Sequence, residues 1–132
     1  MSATLNELQK AFESLKTSKK LLQEAIAKDS AHIELHRALR DSCIQRFEFC
    51  VELSWKISMK MLGLTTQAPN PAVRDMAQNG LIDDTQIWFN FLIARNKTSD
   101  SYDEDVAQEV YREIEKFINE QEKLISKLQN LK

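Results

Sequence analysis

The chain has few residues that break helices. Two glycines and two prolines stand in 132 residues, and they cluster between positions 63 and 80 together with Asn70 and Asn79. Folds rich in β-turns need such residues at each reversal, so their scarcity argues for long helices. Cysteine is equally sparse: Cys43 and Cys50 lie seven positions apart in one predicted helix. That spacing is about 10.5 Å along a helix axis, too far for a disulfide, so both read as buried thiols of a reducing cytoplasm. No apolar run approaches the roughly 20 residues of a membrane span, and "MSATLNELQK" lacks a signal-peptide pattern. A soluble cytoplasmic protein is expected. A net charge of −2 and a pI near 5.7 supply no global basic field, so any RNA contact would be local.

What is present suits a globular domain. Hydrophobic residues make up 42% and charged residues 29% of the chain. Its length is enough for a core without disulfides or metal, and a single domain over residues 1–132 is expected. The first helix opens with the capping box Thr4-Leu5-Asn6-Glu7. Leu5, Leu8, Phe12, Leu15, Leu22 and Ile26 then form one stripe, with Lys19 as a lapse. A second helix over residues 30–62, capped by Ser30, carries Ile33, Leu39, Ile44, Phe47, Cys50, Val51, Ser54, Ile57 and Met61 on its core face. Phe49, Leu53 and Trp55 lie off that face, and this apolar surplus predicts a second interface, hence a homodimer.

A short helix is expected over residues 71–79 with Asn70 as its cap, and a fourth over 84–94 with Asp83 and Gln86 as a capping-box variant. The fourth buries Ile87, Trp88, Phe91 and Leu92. The last helix begins near Ser101, in the capping box Ser101-Tyr102-Asp103-Glu104, and runs to the end. Its heptad-like row is Ala107, Val110, Ile114, Phe117, Leu124, Leu128 and Leu131, interrupted by Gln121. The reading is all-α: an antiparallel up-and-down bundle of four to five helices, three long and two short.

Chemistry-bearing motifs are few. His32 and His36 share a helical face at the spacing zinc proteases use, but Ile33 stands where the catalytic Glu would be and no third ligand follows, so they read as solvated. Cys43 and Cys50 sit among apolar neighbours, where a thiol stays protonated. Two glycines cannot build a phosphate loop. No metal and no cofactor are expected. The remaining cluster is Arg95, Asp100 and Tyr102, in the connection to the last helix. The capping box and the helix dipole account for Asp103, Glu104 and Asp105, but not for Arg95 or Tyr102. On chemistry alone a solvated turn and a functional site both remain open.

Three blocks then carry a resemblance: "RDSCIQRFEFCVELSWK" at residues 40–56, "GLIDDTQIW" at 80–88 and "RNKTSDSYDE" at 95–104. In matching order over nearly the whole chain they resemble the HepT-like branch of the HEPN domains, often labelled nucleotidyltransferase substrate-binding proteins. The resemblance implies a dimeric helical bundle that forms a toxin–antitoxin pair with a minimal nucleotidyltransferase. It also implies a metal-independent ribonuclease site built on Arg, four residues, His, one residue, Tyr. Arg95 matches the Arg and Tyr102 the Tyr, the residue to which the nucleotidyltransferase is taken to add AMP. Asp100 stands at the His position. An Asp is ionised at neutral pH and a poor proton donor, so weak or absent RNA cleavage is expected, with a non-catalytic binding subunit as the alternative.

Overall fold

Each helix starts where the chain supplies a group for its free N–H donors, and in the computed structural model, which describes residues 4–97 and 103–131, those groups can be named. Helix α1, Leu5–Lys28, is capped by Thr4, whose Oγ1 accepts from the Glu7 N–H at 3.3 Å. Helix α2, Ile33–Leu62, starts three residues later than expected and has no side-chain cap. Asp29 Oδ1 takes the Ala31 N–H at 3.1 Å and holds residues 29–31 in a turn, which leaves Ser30 outside the helix.

Helix α3, Pro69–Gln78, begins two residues before the expected start, because Pro69 at the first turn needs no N–H partner; the cap position is Ala68, not Asn70. Helix α4, Thr85–Lys97, is preceded by Asp84 rather than Asp83 as its capping group: Asp84 Oδ1 accepts from the Gln86 and Ile87 N–H groups. Helix α5, Glu104–Gln129, is capped by Asp103 through the Asp105 N–H at 2.8 Å and stops short of the C-terminus. Both glycines close helices. Gly63 and Gly80 adopt φ of 72° and 76°, and the paired bonds Leu64 N–H to Met59 C=O and Leu81 N–H to Met76 C=O complete two Schellman caps.

Cross-helix pairs set the directions. Lys19 meets Glu115 at 3.1 Å and Lys16 meets Glu122 at 3.9 Å, so α1 and α5 are antiparallel. Arg40 meets Glu104 at 2.5 Å and Ser54 meets Gln121 at 2.9 Å, so α2 and α5 run the same way across a diagonal. Trp88 and Phe91 lie on Phe117 while Lys97 reaches Glu109, which makes α4 antiparallel to α5. Helices α1, α2, α4 and α5 therefore form an up-down-up-down bundle, with short α3 set against α2 and α4. No strand occurs among the described residues.

The core joins the anticipated stripes, with informative exceptions. Ser18, not Lys19, fills the lapse in α1, and Lys19 pairs outward with Glu115. Ile26, Ile33 and Leu131, all expected inside, are exposed at helix ends. Leu53 and Trp55 are only 7% and 6% exposed, because α2 touches all four other helices; of the apolar surplus, Phe49 alone stays out, at 57%. Within the core Phe47, Trp88, Phe91 and Phe117 contact edge to face at centroid separations of 5.1 to 6.4 Å. Each such contact is worth about 0.5–1.5 kcal/mol beyond its area, and together they fix α4 onto α2 and α5.

Candidate functional site around Arg95 and the entry to the last helix

Arg95 follows from how α4 is held. Trp88, Phe91 and Leu92 bury one face of the helix, and Arg95 lies three and four residues beyond the last two, on the same side. That directs it at α2, where its Nε lies 3.1 Å from Glu52 Oε2. Glu52 is itself fixed, accepting from Trp55 Nε1 at 3.4 Å and pairing with Lys56 at 3.3 Å. Arg95 also donates to Asn96 Oδ1. About a third of its side chain meets solvent, so the guanidinium is preorganised by a rigid helix yet reachable. An incoming phosphate would share it with Glu52 or displace Glu52.

Asp100, Ser101 and Tyr102 lie outside the described residues, so Arg95 is the part of the expected cluster whose surroundings are described. The exit from that segment is described too, and it differs from expectation. The helix is capped by Asp103 and starts at Glu104, so Glu104 stands at its first position rather than at the third position of a box that begins at Ser101. Its carboxylate bonds Arg40 Nη1 at 2.5 Å and lies 3.4 Å from Arg37 Nε. Charge-assisted pairs of this kind outweigh a reach back to one backbone N–H. The Arg40 bond holds the Glu104 carboxyl below its ordinary pKa. Arg40 is buried, and burial works against its charge, but Glu104 and Asp41 outweigh that and raise its pKa.

Helices α4 and α5 are thus each tied to α2 near this connection, α4 through Glu52 and α5 through Arg40. These anchors are twelve residues apart (40 to 52), about 18 Å along the axis. Glu52, Arg37, Arg40 and Glu104 were not identified from sequence. Arg40, Glu52 and Glu104 all fall inside the family-like blocks, which is the available signal, but neither the Arg40–Glu104 nor the Arg95–Glu52 pairing leaves a periodic trace in a sequence.

The other candidates carry less. Cys43 and Cys50 are buried and unbridged, and burial raises both thiols, Cys50 to about 12, so neither is a nucleophile near neutrality. His32 is exposed at the start of α2 and His36 partly buried, and among the described residues no group of three or more His, Cys, Asp or Glu is placed to hold a metal. No described helix is long and apolar enough to cross a membrane.

Comparison with known proteins bears on the fold and the family. The family profile described as "Nucleotidyltransferase substrate binding protein like" matches residues 4–130. A Haemophilus influenzae protein named probable ribonuclease HepT is 30% identical, covering 94% of this chain and 90% of its own. A solved Haemophilus influenzae structure, described as the fold of a substrate binding domain of a nucleotidyltransferase, superposes with a TM-score of 0.84 at 29% identity, over 95% of this chain and 98% of that one. A Thermus thermophilus structure superposes with a TM-score of 0.70 at 26% identity, over 89% and 98%. With a helical bundle matched from end to end and the family's profile spanning residues 4–130, the chain belongs to the HepT-like family of nucleotidyltransferase substrate-binding proteins.

Proposed function

We propose that this chain is the HepT-like subunit of a cytoplasmic toxin–antitoxin pair, acting as one HEPN-like domain over residues 1–132 beside a minimal nucleotidyltransferase. The observation that carries the reading is Arg95: a half-sheltered guanidinium, fixed by a rigid helix at the family motif's Arg position and balanced by Glu52. In an RNA site it would neutralise charge developing on phosphorus without a metal. Asp100, ionised at neutral pH, can accept a proton but is a poor donor to a leaving group, so the scaffold is a weakened ribonuclease. Phe49 lies one turn before Glu52 on α2 and is exposed, and a second copy seated there would bring two Arg95 sites together in a homodimer.

Silencing follows the family chemistry. The Tyr102 oxygen bonds to the α-phosphorus of ATP, pyrophosphate leaves, and the phenolic proton passes to solvent or to a base of the nucleotidyltransferase. The appended AMP puts a phosphate near Arg95 and competes with RNA. A second reading, a non-catalytic subunit that binds the nucleotidyltransferase and cuts nothing, is favoured by Asp100 itself.

One experiment separates the readings. The native protein, Asp100→His and Arg95→Ala are incubated with RNA without metal, and the native protein with its nucleotidyltransferase, ATP and Mg²⁺. Low native cleavage that rises about 10²–10⁴-fold in Asp100→His, together with an AMP mass increment lost in Tyr102→Phe, is the expected result. No gain in Asp100→His selects the non-catalytic subunit. Efficient native cleavage untouched by Arg95→Ala overturns the site.

A further inference from the structure

A cavity of about 370 Å³ opens where the α1–α2 turn meets the start of α5, in the size range of small-molecule sites. One wall is apolar, from Leu22, Ile26 and Ile33, and the last two are 44% and 49% exposed, so nothing in the described chain covers them. The opposite wall is polar. His36 Nε2 is buried there with no hydrogen-bond partner among the described residues. Gln108 makes a single long bond, at 3.4 Å to Glu104, and leaves its carbonyl uncommitted. Tyr111 is half-buried, and burial raises its pKa, which keeps the phenol protonated and able to donate. At the rim Arg37 is over half exposed and spends only its Nε on Glu104. Arg40 is taken up by Glu104 and Asp41, which leaves the more exposed Arg37 as the cation at the rim.

These features together select a ligand chemistry. A fatty acid would satisfy the apolar wall but not three uncommitted polar groups, and a simple sugar phosphate would leave the isoleucines wet. A flat heteroaromatic ring with donors and acceptors along its edge, joined to one anionic group, matches both walls. We infer that this cavity is a binding site for a nucleoside monophosphate, with the base lying against Ile26 and Ile33, its edge meeting His36 and Gln108, and the phosphate at Arg37.

The site stands apart from the Arg95–Glu52 pair, since its Arg40 wall is about 18 Å along α2 from Glu52. The ligand is the free nucleotide, so the inference does not rest on the proposed silencing at Tyr102.

The test is titration of the isotope-labelled full chain with AMP, followed by NMR. Shifts in the Ile26 and Ile33 methyls and the His36 ring are expected, with binding weakened about tenfold in Arg37→Ala and in His36→Ala and unchanged in Arg95→Ala. Adenosine should bind more weakly than AMP, and ribose 5-phosphate should leave the methyls unmoved. If free AMP moves these signals, the source is free nucleotide. Silence at millimolar AMP overturns the site, as would shifts confined to the surroundings of Arg95.

Discussion

Replacing Gln121 by Leu should make the protein more stable. Gln121 is fully buried in the middle of α5, where the heptad row calls for an apolar side chain. Its side chain meets Ser54 Oγ at 2.9 Å, and the same hydroxyl lies 2.7 Å from the Cys50 carbonyl. A hydroxyl has one proton, so both contacts are hydrogen bonds only when the amide turns its NH₂ toward Ser54 while Ser54 donates to Cys50. In either orientation part of the amide stays unpaired; as placed, it is Nε2. Leaving such a group buried costs about 1–3 kcal/mol, against about 1 kcal/mol for the bond it makes. Leu has a similar volume and no polar atom, and Ser54 keeps its bond to Cys50.

Gln121→Leu is therefore expected to gain about 1–2 kcal/mol, or roughly 4 °C per kcal/mol in Tm for a chain of this size. Ser54→Ala should cost about 1–2 kcal/mol in the native background and much less when combined with Gln121→Leu, a coupling that a double-mutant cycle reads directly. Urea unfolding at matched protein concentration, with m unchanged, is the assay. A loss of 1 kcal/mol or more in Gln121→Leu would refute the reasoning and mean that the Ser54–Gln121 bond is a net contributor.

Three further outcomes are expected. Phe117→Ala removes a ring that touches Phe47, Trp88 and Phe91 and should cost about 3–5 kcal/mol; a loss below about 1 kcal/mol in urea unfolding would show that the aromatic cluster does not hold α4. The Cys50 thiol, pushed up to about 12 by burial, gives stability that is complete below its unfolded value near 9 and lost as pH climbs toward 12. Cys50→Ala should flatten that alkaline decline, and a thiol reagent that labels the native protein as fast as the unfolded one would contradict the burial. Glu104 has a depressed pKa, so its contribution is present above the ordinary carboxylate value near 4.5 and disappears as pH falls below it. Glu104→Gln should therefore show a shallower acid decline, checked by unfolding at a series of pH values, and an unaltered slope would remove the Arg40 pairing from the account.

The number, order and relative lengths of the helices were readable in the sequence, because 3-4 spacing and two isolated glycines leave few other folds. Cap positions were not. The side chains that bind backbone N–H groups at these helix entries are Asp29, Asp84 and Asp103, where the sequence points to Ser30, Asp83 and Ser101. Several short polar side chains compete in each of these turns, and local geometry rather than residue type decides which one wins. The surplus on α2 was overestimated for a related reason: a stripe drawn for one neighbour misses the other helices that cover Leu53 and Trp55. At the candidate site, the family resemblance singles out Arg95, while its pairing with Glu52 depends on a crossing between helices that the sequence does not show.

The edge-to-face cluster also implies an order of assembly. Helices α1 and α2 are joined by a four-residue turn and make the most extensive helix pair, so they can zip together while the rest of the chain is still unfolded. Phe47 cannot meet Phe91 and Phe117 until segments far apart in sequence come together, and α4, at 13 residues, is too short to persist alone. The Arg95–Glu52 contact therefore forms late, when α4 docks. A nascent chain still lacking its last helix would hold a finished hairpin without the aromatic contacts that fix α4 and place Arg95.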